Sequence, residues 1–100
     1  MRLFVDDMRP CPSGDNYVLC RNYEDAIWEM SVTDFDYISL DYSLGYGEKT
    51  GYDILVWMEK SGKIPRHINI HSSHPWGRRN MKDFCDLHFP NVEVTMDSPY

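Results

Sequence analysis

The strongest constraint on this chain is an alternation of short apolar runs with segments of helical period. Arg2 to Val5, Tyr17 to Cys20, Tyr37 to Leu40, His67 to His71 and Asn91 to Met96 read as strands, rich in β-branched, aromatic and aliphatic residues. Asn22 is placed to cap a helix that buries Ala26, Ile27 and Met30, with Glu24 and Asp25 at its positive end. A helix opening at Thr50 or Gly51 carries Ile54, Leu55, Trp57 and Met58, and ends where Gly62 and Pro65 stop it. Pro75 opens a third helix, with Met81, Phe84, Cys85 and Leu87 at helical spacing. Strands alternating with helices predict a mainly parallel, five-stranded α/β sheet flanked by helices. The connection between strands 1 and 2 departs from this rule. Pro10, Pro12 and the Ser13-Gly14 turn signal predict a loop where a crossover helix is expected. That leaves two pairings for strand 2, one with the loop crossing in extended form and one with the strand paired differently. The tail from Asp97 to Tyr100 reads as loose.

One hundred residues, 42% of them apolar and 14% aromatic, are expected to form one domain spanning 1–100 with a core that needs no staples. The formal charge of −6 disfavours general binding to duplex nucleic acid, though not a pocket for one phosphate. Cys11, Cys20 and Cys85 form no paired motif, which suits a reducing, cytoplasmic setting with Cys20 and Cys85 as small core residues. No run has the length of a membrane span, and the acidic start is unlike a signal peptide.

Function is concentrated where strands end. In an open α/β sheet, ligands bind beyond the carboxyl ends of the strands. Strand 1 ends on Asp6-Asp7, strand 3 on Asp41 and strand 4 on His71-Ser72. An unpaired carboxylate at the rim of a core is costly. If strands 1, 3 and 4 are neighbours, the three carboxylates converge and favour a hard divalent cation, Mg²⁺ or Mn²⁺. The free N–H groups of the helix at Pro75 face the same edge and suit an anion. Arg78 and Arg79, in its first turn, oppose the helix dipole and make better sense beside a phosphate. Trp76 reads either as a buried aromatic or as a stacking surface for a base.

These residues resemble a known group. An acidic pair after strand 1, an Asp after strand 3 and a hydroxyl after strand 4 look like the flavodoxin-like receiver domain of two-component response regulators. Receivers carry a lysine after strand 5, where this chain reads VEVTMDSPY. The chain more closely resembles the cyclic-phosphate processing receiver domain, common in bacteria and phages. The matching words are RLFVDDMRPCP, ISLDYSLG, TGYDILVWM and INIHSSHPWGRRNM. The resemblance implies that Asp6, Asp7 and Asp41 hold the metal, and that His71 and Ser72 contact or protonate a cyclic phosphate. It gives Arg78 the phosphate's charge, with Arg9 and His74 as further ligand contacts. Tyr42 and Ser43 stand where the family often has His and Asp, and His74 stands where it often has Asn.

The resulting expectation is a metal-dependent phosphoesterase acting on a cyclic nucleotide or the 2′,3′-cyclic phosphate of an RNA end. It would work in the cytoplasm, or the host cytoplasm if phage-encoded. The alternatives are a module that sequesters a phosphorylated ligand or a protein partner without turnover, and a receiver that accepts a phosphoryl group on Asp41.

Overall fold

The computed structural model describes residues 1–12 and 16–97. Strands β1 (Arg2–Val5), β2 (Tyr17–Cys20), β3 (Tyr37–Leu40), β4 (His67–Ile70) and β5 (Glu93–Met96) form one sheet in the order β2-β1-β3-β4-β5. Every pairing is parallel. This is the receiver-like, flavodoxin-type arrangement, with β1, β3 and β4 adjacent. β2 lies parallel to β1, so the proline-containing connection does cross as a loop. Most of that loop is described; residues 13–15 and the tail 98–100 lie outside the described residues.

Helices α1 (Tyr23–Val32), α2 (Gly51–Ser61) and α3 (Pro75–His88) start on the expected signals, and α2 also stops on its expected signal. Asn22 caps α1 by accepting from the Asp25 amide at 2.8 Å. The Asp53 carboxylate accepts from the Thr50 amide at 2.8 Å, closing a capping box on α2. Gly62 ends α2 at φ 76°, a left-handed conformation that glycine adopts without steric cost. The strands β4 and β5 are shorter than their sequence patterns, each by residues that lie beyond the paired ladder.

All three helices feed one core. Leu3, Val5, Cys20, Ile38, Leu40, Ile68 and Ile70 from the sheet pack with Ala26 and Met30 of α1, with Ile54, Leu55 and Met58 of α2, and with Met81 and Cys85 of α3. The crossovers β2-α1-β3, β3-α2-β4 and β4-α3-β5 all run in the same direction across the sheet, so right-handed connections put all three helices on the same face. The β1–β2 connection runs the other way, and it is the one without a helix. The opposite face of the sheet therefore carries no helix among the described residues.

Strand residues on that opposite face are mostly polar or aromatic by alternation, Phe4, Tyr17, Tyr37, Ser39, His67, Asn69 and Thr95 among them, with Leu19 an aliphatic exception. Their rings shield one another. Tyr17 meets Tyr37 edge-on at 6.3 Å, Tyr37 meets His67 at 4.8 Å, and the Arg2 guanidinium lies 5.6 Å from both tyrosine rings. Burial pushes the Cys20 and Cys85 thiols up to about 12, which makes them inert packing groups. No helix of the described residues is long and apolar enough to cross a membrane.

Candidate functional site

The sheet extends one residue past the ends of β1, β3, β4 and β5, and these residues carry the chemistry. The amides of Asp6, Asp41, His71 and Asp97 donate to Cys20, Val5, Leu40 and Ile70 at 3.0 to 3.1 Å. These backbone bonds hold the four residues in a row along the carboxyl edge. By alternation their side chains continue the helix-free face, above Phe4, Ser39, Asn69 and Thr95.

Asp6 is 1% exposed and hydrogen-bonded on both oxygens. Oδ1 accepts from the Met8 and Arg9 amides at 2.9 Å, and Oδ2 faces His71 Nε2 at 3.0 Å. The Arg9 guanidinium approaches Oδ2 to 4.0 Å and is steadied by a 2.9 Å bond to the His71 carbonyl. Burial pushes the Asp6 carboxyl up, but the two amides and His71 together hold it below the ordinary carboxylate value.

His71 is buried and stacked on Phe4, with ring centroids 4.4 Å apart. Its Nδ1 lies 2.7 Å from Ser39 Oγ. With ionised Asp6 as the acceptor for Nε2–H, Nδ1 must accept, so the Ser39 hydroxyl donates. Ser39 in turn accepts from the Asn69 amide group at 3.0 Å, Asn69 accepts from Thr95 at 2.6 Å, and Thr95 meets His67 at 2.7 Å. A buried chain of hydrogen bonds thus runs along the sheet and ends on Asp6. Burial lowers the His71 pKa, opposed by the charges of Asp6 and Asp41.

Asp41 is half-buried. Burial raises its pKa, the Ser72 hydroxyl and the Tyr42 amide oppose this by donating to it, and the Asp6 charge adds to the rise. Ser72 is 1% exposed; its oxygen accepts from the His74 amide at 3.1 Å while its proton goes to Asp41. Asp6, Asp41 and His71 each offer an atom within a group no wider than 4.8 Å. Two carboxylates so close, one with its pKa raised in part by the other, make a hard-oxygen donor set that could hold a metal ion. His71 contributes by orienting Asp6, because both its ring nitrogens are already engaged.

The loop after β3 is clamped from the helix side. Gly51 donates to the Tyr42 carbonyl at 2.9 Å, and a Cβ on Gly51 would run into the Asp41 carbonyl and the Met81 methyl. The Tyr42 ring lies against Gly77 of α3 so closely that a Cβ there would overlap it. Position 42 therefore faces α3, and Ser43 faces the crevice.

The crevice itself is about 590 Å³ and is lined by Asp6, Asp7, Arg9, Asp41, Ser72 and His74, together with Met8, Ser43, Ser73 and Pro75. Nearly every expected site residue converges here, with several differences of role. Asp7 lines the crevice but stands outside the cluster of Asp6, Asp41 and His71. Ser72 lines the crevice and gives its proton to Asp41, while His71 is bonded to Asp6 and is not among the lining residues. Arg78 is elsewhere: its Nη1 donates to the carbonyls of Ser72 at 2.8 Å and Asp97 at 2.7 Å, tying the β4–α3 loop to the end of β5. That bond explains the cation at a helix N-terminus without a phosphate. His74 caps α3 by accepting from the Gly77 amide at 2.9 Å through Nδ1, which leaves Nε2 as the protonated nitrogen of the neutral ring. The sequence reading passed over Ser39, Asn69 and Thr95. Their signal was a polar residue at the same register of adjacent apolar strands.

A family model described as the cyclic-phosphate processing receiver domain matches residues 1–86. Comparison with curated proteins and with solved structures gave no match. The chain belongs to the cyclic-phosphate processing receiver domain family, a receiver-like domain linked to the processing of cyclic phosphates.

Proposed function

We propose that the carboxylate crevice binds a divalent cation and, with it, opens a cyclic phosphate to a linear phosphate ester. The observation that carries this is the close Asp6–Asp41 pair, hydrogen-bonded to His71 and Ser72 and lining an open crevice. Asp6 and Asp41 would hold Mg²⁺ or Mn²⁺, and Asp7 adds a third carboxylate to the lining. A divalent ion there supplies Lewis-acid charge that offsets the phosphoryl oxygens and lowers the pKa of water. The protein's own groups account for the rest. Backbone and hydroxyl donors fix both carboxylates before any ligand arrives, so little reorganisation is needed. The α3 N-terminus and the Arg9 guanidinium add positive potential beside a phosphate in the crevice. The His74 Nε2–H can donate a hydrogen bond to a phosphoryl or leaving oxygen, with its Nδ1 held by the Gly77 amide.

One observation favours a second reading, binding without turnover. The protons of His71 and Ser72 are already committed to Asp6 and Asp41, and His74 Nδ1 accepts the Gly77 amide, so none of these groups is set up as a proton donor to a leaving oxygen. Incubation of the purified protein and Mg²⁺ or Mn²⁺ with 2′,3′- and 3′,5′-cyclic nucleotides separates the two. Linear monophosphates should appear with the native chain and not with Asp41→Asn. Ligand binding without product under either metal would reject the enzymatic reading in favour of sequestration.

A further inference from the structure

Beside the carboxylate crevice lies a second cavity of about 610 Å³ between α2 and α3, within the range of small-ligand sites. Aromatic residues separate the two. His74 lines the crevice, Tyr42 and Trp76 line the groove, and the His74 and Tyr42 rings are in contact at 4.8 Å. Trp76 stands nearly perpendicular to Tyr42, at 6.1 Å and 87°, and is 62% exposed. An indole left open to water in a groove, with its orientation set by a neighbouring ring, is a stacking platform.

Charge decides which part of a ligand enters. The groove is lined by Asp53 and Asp83 and, among the described residues, by no lysine or arginine, so it repels phosphate. Asp53 is committed to the α2 cap, leaving Asp83 as the carboxylate that can accept from a ligand amine, with the Asn80 amide one helical turn before it. A nucleotide therefore has one favourable orientation, phosphate at the carboxylate pair and base in the groove.

We infer that this groove is a purine subsite, with Trp76 as the stacking surface and Asp83 as acceptor for the base's amine. This rests on the proposed function and names its substrate class, a free purine nucleoside cyclic phosphate. A purine suits the groove better than a pyrimidine because its larger face covers more of the indole. The net charge of −6 favours a mononucleotide over a length of RNA.

The test is calorimetry in Mn²⁺ with guanosine 2′,3′- and 3′,5′-cyclic phosphorothioates, which turn over slowly, and with the matching ribose cyclic phosphorothioates lacking a base. The native protein should bind the guanosine forms at least about tenfold more tightly, the scale of one base stacked on an aromatic ring. Trp76→Ala should remove that advantage and leave the base-free ligands unchanged. Trp28→Ala removes an equally exposed tryptophan that lines neither cavity, and should change neither affinity. Equal affinity for ligands with and without the base, or a loss at Trp76→Ala that falls equally on both, overturns the subsite while the crevice reading stands. If no cyclic phosphate binds at all, the crevice reading fails and the subsite with it. Displacement of guanosine by choline, at a site abolished by Trp76→Ala, would show a cation cage and also overturn the purine assignment.

Discussion

The Nε2 nitrogen of His71 lies 3.0 Å from Oδ2 of Asp6 while its Nδ1 lies 2.7 Å from Ser39, so the ring is fixed at both ends. A buried imidazole pinned this way is a support for the carboxylate, much as a histidine or carboxylate behind a metal ligand fixes that ligand's direction. Removing it should loosen Asp6 without removing an oxygen donor. His71→Ala should weaken Mn²⁺ binding by about 10- to 100-fold, measured by calorimetry on protein shown to be folded by its melting curve. An unchanged Mn²⁺ affinity would mean that Asp6 needs no such support.

Ser39 is the next link. Ser39→Ala removes the hydroxyl donor to His71 Nδ1 and the acceptor for Asn69, leaving buried polar atoms unpaired. The expected loss is about 1–3 kcal/mol of unfolding free energy by denaturant titration. Ser39 reaches Asp6 only through His71, so its substitution should cost less cation affinity than His71→Ala.

The two glycines that clamp the β3–α2 loop should not be equivalent. At Gly77 a methyl meets the Tyr42 ring, a side chain that can tilt, and Gly77→Ala should cost about 1–3 kcal/mol. At Gly51 a methyl meets the backbone carbonyl of Asp41, which cannot move without shifting the site. Gly51→Ala should be the more destabilising of the two in denaturant titration and should also reduce Mn²⁺ binding.

Acid should destabilise the metal-free protein in a defined order. The His71 pKa is lowered from 6.5, so below 6.5 the unfolded chain takes up a proton that the native state resists. Asp6 acts in the same sense lower down: its contribution is complete above 3.8 and is lost as pH falls through its depressed native value. Asp41 has its pKa raised above 3.8, so the native state takes up that proton first and acidification relieves its repulsion with Asp6. Melting temperature in a chelator should therefore begin to fall just below pH 6.5, and His71→Gln should flatten that part of the curve.

Much of this architecture was legible in the chain because its signals are local. Asn22, Gly62 and Pro75 mark helix ends by backbone chemistry that depends little on tertiary context. Asp6, Asp41 and His71 were visible because each breaks an apolar run, and parallel pairing then brings strand ends to one edge. Roles were harder to read than positions. Nothing local shows that the proton of Ser72 goes to Asp41, or that Arg78 reaches the carbonyl of Asp97 at 2.7 Å, because both depend on where distant segments dock. The bare sheet face was hidden for a related reason. Apolar residues such as Ile38 and Leu40 announce a buried strand, but which faces the helices cover follows from crossover direction, a property of the whole topology.

The central claim is that cation and cyclic phosphate meet at Asp41. The most direct measurement is the ³¹P NMR linewidth of a cyclic nucleotide in the presence of substoichiometric Mn²⁺ and protein. The native chain should broaden the phosphorus resonance well beyond Mn²⁺ alone, and Asp41→Asn, with its fold verified, should return the line to the protein-free width. Native protein that leaves the line unbroadened, or an Asp41→Asn variant that broadens it equally, would contradict the account.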